Sequence, residues 1–363
     1  MKRGIAALAI FLAACSSTPY KPDVVIKDSK PFAGITQLLA NAPDKRVDVI
    51  LVHGMCTHQQ QWALETITTL ARAAGQSTSA AKTSQTKNID GIEIVSAESS
   101  TPDGTIYFSA FIWSGLTAPG KATLAYDLSG TPTNCAADDA CRPVRATLNA
   151  RLKDTLMNDC LSDALIYQGE SKAAINQAFI NAITQVTAEQ ASRNAGKTVP
   201  LVLISESLGS KMTFDALNLM AGHPADSSSK RAGDDAIERI SYLYMGANQL
   251  PILSLADRSA TLSLLADGKR DDALNRLLSA QKTRSLVPKI TVVAFTDPND
   301  QLSWWLQPSN YSNKAAIANV LVSNDKTYFG YLENPYTAHT TYLANDDVTR
   351  AIMCGMPASP QCK

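Results

Sequence analysis

The 363-residue chain has no surplus of either charge: 33 Lys and Arg stand against 33 Asp and Glu. That balance gives no electrostatic footprint for nucleic acid or for an acidic surface, so no nucleic-acid partner is expected. Long apolar runs are missing as well. The stretch Ile5 to Ala14 is too short to span a bilayer as a mature helix. No Cys-x-x-Cys pair and no histidine cluster occurs, which argues against a metal centre, and nothing implies an organic cofactor. Internal repeats and low-complexity tracts are absent too, which excludes solenoid architectures. What remains is ordinary for a globular protein with a large core: 45% hydrophobic, 18% charged and 6% aromatic residues. The length suits one large domain, with a second compact unit only as an insertion.

The N-terminus is the first informative stretch. Met1-Lys2-Arg3 is basic, Ile5 to Ala14 is apolar, and Leu12-Ala13-Ala14-Cys15 is followed by Ser16-Ser17-Thr18-Pro19. This order resembles a bacterial lipoprotein signal, cut before Cys15, whose thiol and new amino terminus then carry acyl chains. The resemblance implies residues 1–14 as signal peptide and residues 15–45, polar and punctuated by Pro19, Pro22, Pro31 and Pro43, as a lipidated tether. Ser after the Cys implies the outer membrane of a Gram-negative envelope. Export also changes the reading of the other cysteines. Of seven in total, removing Cys15 leaves an even six, which in an oxidising compartment favours disulfides. Nearness in sequence favours Cys135–Cys141 and Cys354–Cys362, leaving Cys56–Cys160, although six cysteines allow about 15 connectivities.

From residue 46 onward, buried-strand patterns alternate with helical ones. Val47 to Val52 and Val199 to Ile204 are short apolar, β-branched runs of the kind found in parallel strands. Further strands are expected at Gly91–Ala97, Thr105–Trp113, Ile240–Met245, Ile290–Phe295 and Asn319–Val322. Helices are expected over Gln59–Ala74, Ser171–Arg193, Leu208–Met220 and Asp346–Met353. About residues 114–168 the pattern loosens, and this stretch is read as a cap inserted over the core. The whole predicts an α/β fold, a mostly parallel twisted sheet with helices on both faces.

Ser205-Glu206-Ser207-Leu208-Gly209 sits where a buried strand runs straight into a helix. A serine nucleophile needs such a junction: the tight turn lifts its hydroxyl above the sheet, and the helix N-terminus favours negative charge on a substrate oxygen. Ser207-Leu208-Gly209 is the only Ser-x-Gly in the chain. The plain structural alternative is a serine that caps a helix. His53-Gly54 ends the first strand run, Thr296-Asp297-Pro298-Asn299-Asp300 follows a late one, and His339 alone of four histidines (His53, His58, His223, His339) lies beyond that acidic turn.

The order Ser, Asp, His, with these settings, resembles the α/β-hydrolase superfamily over roughly residues 46–353; residues 46–363 would form the hydrolase domain. Ser205 departs from the family's Gly-x-Ser-x-Gly. The resemblance implies Ser207 as nucleophile, His339 as base and Asp300 as the acid, with Asp297 the lesser alternative. The backbone N–H groups of Met55 and Leu208 would form the oxyanion hole. It implies a lipase- or esterase-like serine hydrolase that takes an ester or lipid-like small molecule through an acyl-enzyme. His53 would orient the oxyanion loop, His58 would start a helix, and Trp304 and Trp305 would line an acyl pocket or pack in the core. Two other readings stay open: an acyltransferase or peptidase on the same fold, and a non-catalytic envelope lipoprotein that binds a partner. The sequence leaves the oligomeric state open.

Overall fold

The computed structural model describes residues 16–17, 20–24, 28–75, 81–130, 144–257, 269–281 and 286–362. Residues 1–14, expected to be a signal peptide, Cys15, and the pair Cys135 and Cys141 lie outside the described residues. Nine strands form one sheet: β1 (Asp23–Val24), β2 (Arg46–Val52), β3 (Ala81–Ile89), β4 (Ile92–Thr101), β5 (Gly104–Ile112), β6 (Leu201–Glu206), β7 (Ile240–Gly246), β8 (Ile290–Thr296) and β9 (Ala315–Leu321). Their order across the sheet is β1-β9-β8-β7-β6-β2-β5-β4-β3. From β9 through β5 all neighbours are parallel. β4 and β3 fold back antiparallel at one edge and β1 at the other.

The parallel strands are apolar on both sides because both sides are covered. In β2, Ile50 and Val52 join one core with Leu203 and Met245, while Val49 and Leu51 join another with Ile204 and Tyr244. This is the period-two alternation of a strand, with each face burying its own set. The first core is closed by α3 (Lys172–Arg193), α4 (Leu208–Gly222), α5 (Ser228–Arg239) and α6 (Ala273–Ala280), through residues such as Phe179, Met212, Ile237 and Leu274. The second is closed by α1 (Ile35–Asn41), α2 (Gln60–Ala73) and α8 (Asp346–Cys354), through Ile35, Leu39, Ile67, Leu70 and Ile352. Among the described residues no helix is long and apolar enough to cross a membrane.

Three features depart from the sequence reading. β3 was not expected, because Ala-Lys-Thr-Ser-Gln-Thr-Lys-Asn-Ile is polar; an edge strand hydrogen-bonds on one side and need not bury its side chains. The tether to residue 45 is not a tether throughout. Phe32, Ile35 and Leu39 are buried, β1 pairs with β9, and the i, i+4 spacing of Ile35 and Leu39 puts both on the core face of α1. The last strand also begins four residues before the expected Asn319, at Ala315, because its first two residues are half-buried alanines, which carry no β-branched signal. Residues 147–168 are helical without a break, and Leu152–Leu161 winds in wider π turns.

Candidate active site

The parallel register brings four strand ends into line: Val52 lies beside Ser205, Glu206 beside Gly246, and Gly246 beside Phe295. The loops that leave β2, β6, β7 and β8 therefore emerge together at the carboxyl edge, where open α/β sheets place their sites. Ser207 stands in the turn from β6 directly into α4. Its backbone adopts φ 51° and ψ −127°, a left-handed conformation that costs a β-carbon residue on the order of 1–3 kcal/mol. The surroundings hold it there. Ser207 N–H donates to the Gly246 carbonyl at 2.8 Å, and the Ser205 and Ser210 hydroxyls bond across the elbow at 2.9 Å. Gly209 is required by a close approach: a Cβ there would lie 2.2 Å from the His53 carbonyl oxygen. A Cβ on Gly54 would lie 2.9 Å from that of Ser207, so the loop after β2 is pressed directly against the elbow.

His339 lies on α7 (Pro335–Thr340), after β9, and reaches back over the sheet edge. Ser207 Oγ is 3.1 Å from its Nε2, and its Nδ1 is 2.9 and 3.0 Å from the two carboxylate oxygens of Asp300. Such a carboxylate accepts the hydrogen bond from Nδ1–H, which leaves Nε2 with its lone pair towards the serine. Asp300 is itself fixed: Leu302 N–H donates to Oδ1 at 2.9 Å and the Tyr342 hydroxyl to Oδ2 at 3.0 Å. Asp297 is placed elsewhere. Its carboxylate accepts from the N–H groups of Asn299 and Asn324 at 2.9 and 2.7 Å, and its own N–H donates to the Tyr342 hydroxyl at 2.8 Å. It thus holds the turn that presents Asp300. Burial raises the Asp297 carboxyl above its ordinary range, and burial together with Asp297 pushes Glu333 up to about 7.

The loop after β2 is locked from three sides. His53 is sandwiched between Trp113 (centroids 4.6 Å apart) and His58 (4.4 Å). Its Nδ1 lies 2.7 Å from the Gly54 carbonyl oxygen, and its Nε2 accepts from Trp113 N–H at 3.0 Å. These two bonds fit the neutral Nδ1–H tautomer, and burial, then the neighbouring His58, holds the ring's pKa well below 6.5. Further along, Cys56 N–H donates to Asp163 at 2.8 Å, Thr57 N–H to Asp159 at 3.0 Å and His58 N–H to Ser114 Oγ at 2.8 Å. Lys121 bridges the two carboxylates from 2.8 and 3.0 Å. Cys56, at φ 78°, is joined to Cys160 of the π-wound helix, with sulfurs 2.05 Å apart. Every backbone N–H from 56 to 58 is thereby occupied, while Met55 N–H has no partner among the described residues. Leu208 N–H lies in the first helical turn, where no carbonyl within the helix can reach it.

A narrow cleft is lined by Gly54, Met55, His58, Glu206, Ser207, His339 and Thr340. Ser207 and His339 are only 2% and 4% exposed. Trp304 and Trp305 are not among the cleft residues; Trp304 exchanges backbone and amide bonds with Asn248, and Trp305 is half exposed. His223 is remote from the cleft and pairs with Ser229 at 2.7 Å. His58 stacks on His53 rather than entering the helix, which starts at Gln60. Cys354 and Cys362 are joined at the far C-terminus. Among the described residues one group has metal-ligand spacing, Cys56, Asp159 and Cys160, and its two sulfurs are the disulfide.

Three residues at the site escaped the sequence reading. Tyr342 stands three positions after His339, one helical turn, and that spacing was the available signal. Glu206 adjoins the nucleophile in the motif, but its burial shows only in the fold. Gln249, whose Nε2 lies 3.5 Å from His339 Nε2, comes from the loop after β7 and carries no sequence signal. No family model, curated protein or solved structure matches the chain.

Proposed function

We propose that the chain is a serine hydrolase of the α/β-hydrolase type acting on carboxylic esters, with Ser207, His339 and Asp300 as its triad. The observation that carries this reading is the unbroken hydrogen-bonded line from Ser207 Oγ through His339 to Asp300, set on a strained strand-to-helix elbow. Ser207 Oγ attacks the ester carbonyl carbon and passes its proton to His339 Nε2. The carbonyl oxygen becomes an oxyanion facing the N–H groups of Met55 and Leu208, each worth roughly 3 kcal/mol in the transition state. The intermediate collapses, and the departing alkoxide takes the proton from His339 and leaves as the alcohol. Water then attacks the acyl-enzyme by the same proton relay, which releases the carboxylic acid and restores Ser207. Asp300 keeps its bond to Nδ1–H throughout and stabilises the imidazolium.

The same proposal places the chain in the cell envelope, anchored through lipidated Cys15; the joined Cys56–Cys160 and Cys354–Cys362 pairs favour an oxidising compartment. A panel of p-nitrophenyl esters of increasing acyl length tests the activity. Hydrolysis by the native chain and a drop of about 10⁴-fold or more in kcat for Ser207→Ala are expected. Equal rates for the two proteins contradict the reading.

A further inference from the structure

Beside the catalytic cleft lies a second cavity of about 310 Å³. Its mouth is ringed by the exposed Glu65, Arg72 and Asp346, and its wall includes Trp62, Thr66 and Thr69. Its buried end is Glu206, which together with Thr340 also lines the cleft at Ser207, so the two spaces adjoin at these two residues. Glu206 is only 5% exposed, and Oε1 accepts a single bond, from Leu343 N–H at 3.2 Å. No Lys or Arg pairs with it, and Oε2 has no partner among the described residues. The other deeply buried acids of the fold are treated differently: Asp48 meets Arg239 and Arg193, and Asp163 meets Lys121. A buried carboxyl group with no cation beside it keeps its proton or pairs with a cation that comes from outside, and the cavity gives such a cation access.

We propose that this cavity is a subsite for an organic ammonium group, with Glu206 as its counter-ion and the Trp62 ring and threonine hydroxyls as its wall. The inference deepens the hydrolase reading and rests on it for one point only, that the ammonium group belongs to the alcohol or acyl part of the ester attacked by Ser207. An aromatic ring attracts a cation across its face, and a carboxylate supplies the opposite charge. An organic ammonium also buries its methyl groups against the apolar Trp62 and Leu343 surfaces, which a hydrated inorganic ion does not. Burial, opposed only by the Leu343 bond, pushes Glu206 up to about 8. A bound cation therefore has to displace its proton, and affinity rises with pH through that value. The other titratable and charged groups that line the two spaces with Glu206 are Glu65 and Arg72 of α2, Asp346 of α8, His339 of α7, and His58 in the loop ahead of α2. The Gln variant keeps all of these, so the difference between it and the native side chain isolates Glu206.

The test has a binding arm that needs no hydrolysis. Tetramethylammonium chloride is titrated into full-length Ser207→Ala protein by calorimetry, with potassium chloride at equal ionic strength as the comparison. Saturable binding is expected at pH 8.5, weakened roughly 20-fold at pH 6.5, where few of the Glu206 carboxyls are ionised, and at least tenfold in Ser207→Ala/Glu206→Gln. No saturable binding at pH 8.5, equal binding at the two pH values, or equal competition by potassium overturns the subsite. Should the double variant not fold, the pH series on Ser207→Ala alone decides. A second arm compares the trimethylammonioethyl ester of one acid with its uncharged 3,3-dimethylbutyl counterpart. A kcat/KM ratio of tenfold or more for the cation, collapsing in Glu206→Gln, supports the subsite; a ratio near one refutes it. If Ser207 proves unreactive, the hydrolase reading fails while the binding arm is still read.

Discussion

Replacing Glu206 by Gln should stabilise the protein, and by an amount that grows with pH. The Gln carbonyl keeps the bond from Leu343 N–H, and the amide never ionises. The native carboxyl is raised from 4.5 to about 8 by burial, and each pKa unit is worth about 1.4 kcal/mol. Below pH 4.5 the group is protonated in both folded and unfolded chains and costs nothing. Between 4.5 and 8 the unfolded chain ionises it while the fold holds the proton, so stability falls by about 1.4 kcal/mol per pH unit. Above 8 both states are ionised and the penalty levels off near 5 kcal/mol. At pH 7 the native chain should therefore trail the Gln variant by about 3 kcal/mol. Urea unfolding of the oxidised proteins at pH 5, 7 and 8.5 reads this directly. With an m-value of about 3 kcal/mol/M, the midpoint gap should reach roughly 1 M at pH 7 and shrink to a small fraction of that at pH 5. A gap that is the same at all three pH values, or absent, would refute the assignment of Glu206 as an uncompensated buried acid.

Other substitutions probe the rest of the site. Asp300→Asn should lower kcat by about 10⁴-fold, because the tautomer of His339 is no longer dictated; Asp297→Asn, which touches only the turn, should cost no more than about 100-fold, and ester kinetics on the two variants separates them. Tyr342→Phe removes a donor to Asp300 and the acceptor for Asp297 N–H. A loss of about tenfold in kcat and about 2 kcal/mol in urea stability is expected. Replacing Cys56 and Cys160 together by Ser frees the loop after β2 from the π-wound helix across a separation of 104 residues. Stability should fall by about 2–5 kcal/mol, and kcat should suffer more than KM because Met55 N–H loses its fixed position; an unchanged kcat would detach the disulfide from the site.

The sequence made the centre of the fold legible and its margins obscure, for one physical reason. Val47 to Val52 and Val199 to Ile204 are buried on both faces, and such strands must be apolar throughout. β3 lies at an edge, so nothing forced its residues to announce it. Residues 32–41 resemble a tether in sequence because Pro31 and Pro43 flank a helix whose apolar contribution is only a few side chains. In the site, Ser207, Asp300 and His339 stand in sequence where chain order and strand ends put them. What chain order cannot show is which acid faces the imidazole. That choice depends on the turn from Asp297 to Asp300, where one carboxylate binds Asn299 and Asn324 N–H groups and the other is left for His339. The burial of Glu206 likewise depends on Leu343 and α2, far away in sequence.

The central claim is that Ser207 is a nucleophile activated by His339. It is tested most directly by treating the folded protein with a fluorophosphonate and locating the adduct by peptide mass spectrometry. The account predicts one phosphonylated residue, Ser207, with labelling lost in Ser207→Ala and slowed at least 100-fold in His339→Ala. A folded native chain that takes up no label at Ser207, or labels equally fast without His339, would contradict it.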